Sequence, residues 1–425
     1  MALPPTLTPT LAITPSPARA PEPALTPLLR QRGSNHVGMR QFNERVVLQA
    51  IRQNGSVPKA ELARLTGLTS QTIGLIAARL EEDELLIRHD AVRGRVGQPS
   101  IPLALNPDGA FAIGIKIGRR SADCLLVDFT GKVRSRKSLH YPFPDAKSLL
   151  PTLSANIKML QGELRTLTHR LVGVGVAAPF SLGGWHRLLG LSDDEAQHWN
   201  RLDLAAEVQA MTHLPVKFAK DTSAACVAEL VAGRGRDLKS FLYLFVDTFV
   251  GGGLVIHSHM HTGVHDNAGA VASLPMNVAD SVPGSEMPGQ LIDQASLWAL
   301  EQRFTAVGLE PQAAYDDRAM LPPFSDETNA WVDRAAIALA HTVVSGTAFL
   351  DLDAVVIDGS MSRALLAQLI TQVQLKLSRY NHEGLWPTAV VEGRIGSDAR
   401  ALGGALLPLH ANFAPDRDLF LKAAV

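Results

Sequence analysis

Between Phe42 and Glu82, apolar residues recur at three-to-four spacing in three short blocks. That spacing lines one face of a helix. Val46, Val47, Ala50 and Ile51 mark the first block, which stops at Asn54-Gly55. Leu62, Ala63 and Leu65 mark the second, with Val57-Pro58 as its start, and Ile73, Ile76, Ala77 and Leu80 mark the third. Gly67 supplies a tight turn before the third block, and Thr69 is placed to cap its amino terminus. Three short helices with a glycine turn between the last two outline a helix-turn-helix. The stretch LLIRHDAVRGRVGQPSIPLAL then reads as strand, Gly-rich turn and returning strand, the pattern of a wing.

A third helix of this kind entering a major groove would present Ser70, Gln71 and Thr72 to base edges and phosphates, with Gly74 keeping that face low. Arg93 and Arg95 flank Gly94 on the wing and suit phosphates or a neighbouring minor groove, and Gln98 on the same turn is a further candidate DNA contact. The same unit can also serve protein contacts alone, and its net charge of only +2 over residues 40–100 leaves that alternative open.

Beyond Asn106-Pro107 the apolar residues gather into continuous runs that end at glycine: AFAIGIKIG, ADCLLVDFTGKV, VGVGVAAP, FLYLFVDTFVGGGLVI and AVVIDGS. Some lead into Ala-rich helical segments, as in LPVKFAKDTSAACVAELVAG. Strands alternating with helices predict an α/β domain, here duplicated into two lobes.

Composition refines this picture at the amino terminus. Eight of the 26 prolines fall in the first 27 residues among Thr, Ala and Ser, which predicts a disordered Pro-rich tail over 1–39. The domains expected after it span 40–105 and 106–425. The total charge is −1, yet residues 1–100 carry twelve basic against eight acidic side chains, so the positive excess sits at the amino-terminal end. Cys124 and Cys226 are the only cysteines, too few for a disulfide framework or a Cys-rich zinc site. No run is long and apolar enough for a membrane span and no secretory leader is visible, so a cytoplasmic protein without a membrane partner is expected.

The order of helix-turn-helix and wing, DFTGKV, GVGVAAP, the Lys220-Asp221 turn, VDTFVGGGLV, GVHDNAGAVASLPM and GSDARALGGALLPL resembles the ROK family, from repressor, open reading frame, kinase. The resemblance covers about residues 42–413. It implies an α/β fold in which an N-terminal winged helix-turn-helix precedes a two-lobed actin/hexokinase-like domain. ROK kinases carry an Asp-x-Gly-Gly-Thr-like loop for ATP phosphates. The matching residues are Lys116-Ile117-Gly118-Arg119-Arg120, a loop unfit for MgATP, and its two arginines read as solvated surface with anion binding as the alternative. The second phosphate turn becomes Asp247-Thr248-Phe249 before Gly251-Gly252-Gly253, where a carboxylate and a phenyl ring would repel or block a polyphosphate.

Asp221 matches the family's catalytic base, with Lys220 replacing its partner Asn; a plain helix cap is the equal alternative. The family's sugar-gripping Glu and His become Ala270 and Ser273, the Glu of a later segment becomes Ile292, and an Asn preceding a Trp aligns with Glu195. Glu195, Lys220, Asp221 and Ser273 are therefore the candidate effector contacts. The family's zinc site lacks its His and its cysteine loop, so no metal or other cofactor is expected. His257, His259 and His261 would share one face of a strand, with His265 nearby, and read as solvent-facing. Together these readings describe a DNA-binding transcriptional regulator without enzyme activity, a repressor of carbohydrate-related genes. It would bind operator DNA as a homodimer or higher homo-oligomer and answer to a sugar or sugar-derived effector. An active sugar kinase with an accessory DNA-binding domain is the alternative, and a scaffold that only oligomerises is a third.

Overall fold

The first helix among the described residues, α1 (His36–Asn54), begins inside the stretch assigned to the tail and ends at Gly55, whose φ of 79° is the left-handed conformation that glycine takes without strain. In the computed structural model, residues 36–90, 101–141, 143–180, 197–199, 201–276 and 289–415 are described. Helix α2 (Lys59–Thr66) stops at Gly67, again left-handed at φ 70°, and α3 (Ser70–Glu82) starts behind Thr69, whose hydroxyl accepts the Thr72 N–H at 3.2 Å. Val57-Pro58 does lead into α2, but it also forms a short strand, β1 (Val57–Pro58). That strand pairs antiparallel with β3 (Pro102–Leu105), which in turn pairs with β2 (Leu86–Arg88). Leu62, Ile73, Ile76 and Leu80 meet Val57, Leu86 and Leu103 in the interior of this unit. Arg93, Arg95 and Gln98 lie outside the described residues.

Two five-stranded sheets of one design follow. The first comprises β4 (Phe111–Ile117), β5 (Ser121–Asp128), β6 (Val133–His140), β7 (Leu171–Ala178) and β8 (Val216–Lys220) in the order β6-β5-β4-β7-β8. The second comprises β9 (Phe241–Val246), β10 (Gly251–Ile256), β11 (His259–His261), β12 (Ala354–Gly359) and β13 (Ala389–Glu392) in the order β11-β10-β9-β12-β13. In both, the first strand of the lobe is central, antiparallel to its hairpin partner and parallel to the strand on its other side. The sequence encodes these places: FAIGIKI is buried throughout as a central strand must be, whereas VRSRKSLH alternates half-buried and exposed along an edge.

Side-chain alternation then decides what covers each face. Phe111, Ile113, Ile115 and Ile117 of β4 point to the outer core under α4 (Ala146–Glu163) and α5 (Leu204–Met211), while Gly114 lies on the inner face. The inner faces of the two sheets enclose two helices packed on each other, α6 (Asp221–Ala232) and α11 (Ala399–Phe413). Beyond the second sheet lie α7 (Leu291–Ala295), α8 (Leu297–Ala306), α9 (Ser325–Phe349) and α10 (Arg363–Leu377), which bury Leu300, Phe304, Trp331, Leu339 and Leu366 against it.

Small residues set the spacing of the central stack. A methyl group on Gly114 of β4 would meet the Ala401 carbonyl at 2.3 Å, and one on Gly175 of β7 would meet the Gly404 carbonyl at 1.8 Å. On the far side of α11, a methyl on Gly403 would lie 1.7 Å from the Ala224 carbonyl of α6. Gly403→Ala should therefore destabilise the protein by at least about 1–3 kcal/mol, the usual range for overpacking a core. Gly162→Ala, on an open face of α4, should instead stabilise it by about 0.5–1 kcal/mol. Urea unfolding of the two variants beside the parent checks both signs.

Candidate functional site

The strand ends of the two lobes face each other across a cleft of about 250 Å³. Its first wall is the β4–β5 turn with Gly118 and Arg119, its floor is Asp221 and Thr222 at the start of α6 with Arg400 of α11, and its second wall is Asp247, Thr248 and Phe249 after β9. Ala270, Ala272, Ser273 and Ile292 form the roof.

Five charged groups interlock beneath this cleft. Arg400 Nη1 lies 2.5 Å from Asp247 Oδ2 and 3.8 Å from Asp221 Oδ2, and its guanidinium stands 5.3 Å from the centre of the Phe245 ring. Arg400 and Asp247 are both buried. Burial alone would push the Asp247 carboxyl up, but Arg400 and then Lys116 override it and hold it below the usual carboxylate range. Lys116, the residue standing where a kinase-like loop has its acid, is buried behind them, 3.3 Å from Asp123 and hydrogen-bonded to Ser121 Oγ. Burial and the neighbouring Arg400 lower the Lys116 ammonium, while at Asp123 burial pushes the carboxyl up but Lys116, the Ser138 hydroxyl and Arg136 together override it and keep it low.

The two arginines of this loop are not solvated surface, as their sequence context suggested. Arg119 lies over the Phe249 ring at 4.7 Å, sunk in the cleft wall, and burial lowers its guanidinium to about 10 although Asp221 and Asp247 pull the other way. Arg120 reaches across to the second lobe, where its Nη2 donates to Glu301 Oε2 of α8 at 2.7 Å. The expected repulsion from Asp247 is also corrected, because Arg400 compensates its charge in place. The glycine run 251–253 serves packing: methyl groups at Gly251 and Gly253 would meet Thr222 and Cys226 of α6 at 2.5 and 2.6 Å.

Of the candidate effector contacts, three meet at this cleft. Asp221 is the first residue of α6, and its Oδ1 accepts the Thr222 N–H at 2.9 Å while Oδ2 faces Arg400. Lys220 donates to Asn267 Oδ1 at 2.9 Å, and burial lowers its ammonium, with Asp221 opposing. Ser273 is an exposed part of the roof. Glu195 lies outside the described residues. Arg400 was missed: it sits in GSDARALGG, 153 positions after Asp247, and no local pattern joins the two. His257 is not on a strand but in the turn between β10 and β11, with φ 50°, so only His259 and His261 share a strand. Among the described residues no three His, Cys, Asp or Glu side chains gather at metal-binding distance.

The amino-terminal unit offers a second surface. Ser70 and Gln71 are exposed at the start of α3, and Leu75, one turn after Gln71, is 56% exposed. Thr72 is engaged in the cap, its hydroxyl 2.8 Å from that of Thr69. The unit is docked on the body. Val47, Ile51, Leu80 and Leu103 share one core with Phe129, Leu406 and Leu409, and Phe413 of α11 packs edge-on to Phe129 at 4.7 Å. Arg52 of α1 covers the same ring at 5.1 Å, burial lowering its guanidinium to about 10. At the junction, Asn106 donates to the Glu84 carbonyl at 2.6 Å, and Arg170 pairs with Glu84.

Two sheets of one strand order around a central helix pair, with a cleft at their strand ends, define an actin/hexokinase-like α/β fold. The chain belongs to the ROK family, whose model matches residues 112–411. It is 19% identical over 239 residues to the xylose repressor of Bacillus subtilis, an alignment that covers 56% of this chain and 62% of that one. The chain thus matches less than two thirds of that repressor's length. Its structure is similar to that of a ROK family transcriptional regulator described as a homologue of the Escherichia coli MLC protein, with a TM-score of 0.65 and 19% identity over 90% of this chain and 98% of that one. It is also similar to a ROK family glucokinase from Streptomyces griseus in complex with glucose and AMPPNP, with a TM-score of 0.55 and 19% identity over 70% of this chain and 99% of that one.

Arg400→Met should cost about 3–5 kcal/mol near neutral pH by stranding Asp247 in the interior. The sign of the pH dependence follows from the depressed Asp247 carboxyl. In the parent its contribution is present above the ordinary carboxylate range, about 4, and is lost as pH falls through the lower folded value. In the variant, burial is opposed only by Lys116 and by hydrogen bonds from Ser360 and the Thr248 amide, so the folded value rises and acid relieves part of the penalty. Urea unfolding at neutral pH and at about pH 4.5 should show the gap between the two proteins narrowing on acidification.

Proposed function

We propose that this protein is a DNA-binding transcriptional regulator, a repressor whose kinase-like body serves as the sensor for a sugar or sugar-derived effector. The observation that carries this reading is the joining of two surfaces by one helix. The exposed amino-terminal turn of α3 belongs to a unit packed on the carboxyl end of α11, and the other end of α11 supplies Arg400 to the floor of the cleft. The unit itself, with α2, a left-handed Gly67 turn, a capped α3 and the antiparallel pair β2–β3, is a winged helix-turn-helix in this reading. The likeness to a regulator over 90% of the chain, against 70% for the glucokinase, supports it, because the difference has to come from outside the kinase-like body.

In this reading the recognition surface is Ser70, Gln71 and Leu75 on α3, joined by Arg93, Arg95 and Gln98, which follow β2 in the sequence and lie outside the described residues. One such surface reads too few base pairs to select a site in a genome, so a homodimer on paired half-sites is the working form. No helix among the described residues is long and apolar enough to cross a membrane, and the regulator acts in the cytoplasm in this reading. Phosphoryl transfer is disfavoured by the same cleft. Lys116 occupies the place of an acid, and Asp221, the candidate base, faces the guanidinium of Arg400.

Two measurements test the reading. Gln71→Ala should weaken binding to an operator found by genome-wide footprinting by about 1–3 kcal/mol, with affinity for scrambled duplex nearly unchanged. Equal loss on both duplexes would assign Gln71 to the backbone, and no loss on either would remove α3 from the DNA. Incubation with MgATP and a panel of hexoses should yield no sugar phosphate above background; turnover abolished by Asp221→Asn would establish the kinase alternative instead.

A further inference from the structure

The leading half of α3 presents an outward face without charge. From Thr69 to Ala78 the sequence holds no Asp, Glu, Lys or Arg, and the charges of α3 come only after it. Two of those, Arg79 and Glu81, are engaged with Glu44 at 3.4 Å and with Arg88 at 2.6 Å. Ile73, Ile76, Ala77 and Leu80 are buried in the core of the unit, which leaves Ser70, Gln71, Gly74, Leu75 and Ala78 on the other side. The outward side of a helix is ordinarily polar or charged. Here Leu75 is 56% exposed and lies outside the core that its buried neighbours form. A methyl group on Gly74 would meet nothing within 4 Å, so Leu75 is the projecting side chain of its turn.

Each base pair shows a distinct set of groups in the major groove, and this face suits only some of them. Guanine is read by Arg or Lys and cytosine by Asp or Glu, none of which occurs in residues 69–78. Gln71 carries the paired donor and acceptor that match adenine. The C5 methyl of thymine is the apolar group of the groove, and an exposed aliphatic side chain is its match. Covering that methyl takes apolar surface of both partners out of water, whereas a leucine gains nothing against a phosphate. A second copy of the chain is the other occupant that an apolar helix face can take. One leucine between a glycine and an alanine buries far too little surface for a stable interface of that kind.

We propose that Leu75 is a specificity-determining residue that reads the C5 methyl of a thymine in each operator half-site. Gln71 and Leu75 are one helical turn apart, about 5–6 Å between Cβ atoms against about 3.4 Å per base pair, so the thymine lies within about two base pairs of the position that Gln71 reads. This rests on the regulator reading above and goes beyond it by naming a base and the atom by which it is told from the others.

The test uses the full chain and a duplex that the chain itself selects from a random-sequence pool. Each thymine of that duplex is replaced in turn by deoxyuridine, which deletes the C5 methyl and keeps every hydrogen-bonding group. Affinity of the parent should fall by about fourfold at one position per half-site, the worth of one methyl-sized group removed from water. In Leu75→Ala the same replacement should change affinity by less than about twofold, with the unfolding midpoint unchanged, and Leu75→Met should retain most of the loss. Gln71→Ala should keep the methyl dependence and relax the preference at a neighbouring position. Tolerance of every replacement by the parent, or a fourfold loss that persists in Leu75→Ala, would overturn the proposal and leave the regulator reading standing. A changed sedimentation coefficient of free Leu75→Ala with unchanged methyl dependence would likewise overturn it and assign the face to a second copy. A pool that yields no preferred duplex would remove the regulator reading and this reading of Leu75 with it.

Discussion

The approach of α11 to its neighbours governs how the rest of the protein is arranged. Gly114 and Gly175 let one side of the helix rest on the first sheet at backbone contact, and Gly403 lets the other side meet α6 in the same way. Gly251 and Gly253 then bring α6 against β10 of the second sheet. At such spacing there is no slack for a helix to tilt independently, because interiors packed to crystal-like density transmit displacement rather than absorb it. The two lobes are thus held through a stack of two helices, and any relative movement of the lobes has to be accommodated there. The same helix ends at Phe413, on the ring of Phe129 that Arg52 of α1 covers from another side.

Electrostatics at the head of this stack is the physical basis on which phosphoryl transfer is disfavoured in the proposed reading of the cleft. A nucleotide site needs donors aimed at phosphate oxygens and a carboxylate free to hold a metal. Here the cations and carboxylates are spent largely on one another: Arg400 on Asp247 and Asp221, Lys116 on Asp123, Arg120 on Glu301. Of these links, Arg120–Glu301 joins the first lobe to the second and Arg400–Asp247 ties the floor of the cleft to its second wall, so they bear on lobe geometry as well as on charge. Removing a partner from a buried pair is far more costly than never having had the pair, which ties the cleft's shape to its occupancy by the chain's own side chains.

Local features of the sequence carried over to the structure where their cause is local. Thr69 caps α3 because its own hydroxyl reaches the Thr72 amide, and Gly55 and Gly67 end helices because their backbones turn left-handed; both are decided within a few residues. The paired sheets were legible from buried runs such as FAIGIKI and FLYLFV, since a central strand has no polar side to betray it. Arg119 and Arg120 were misread because burial of an arginine depends on what another lobe brings to it, Phe249 in one case and Glu301 in the other. Arg400 had no signal at all, its partners being supplied by β9 and α6 through folding alone. His257 was assigned to a strand that ends one residue earlier at Ile256, where the chain turns back through left-handed residues. Pairing at long range decided each of these, and alternation along the chain does not record it.

Hydrogen exchange of the full chain, free and bound to its operator duplex, tests most directly whether the amino-terminal unit proposed to face DNA and the cleft are one mechanical system. Slowed exchange is expected at the start of α3, around residues 70–76, and also at the cleft end of α11, around residues 399–405. Protection confined to α3 would contradict the coupling of the two surfaces through α11, and no protection at α3 would contradict the assignment of that helix to the DNA.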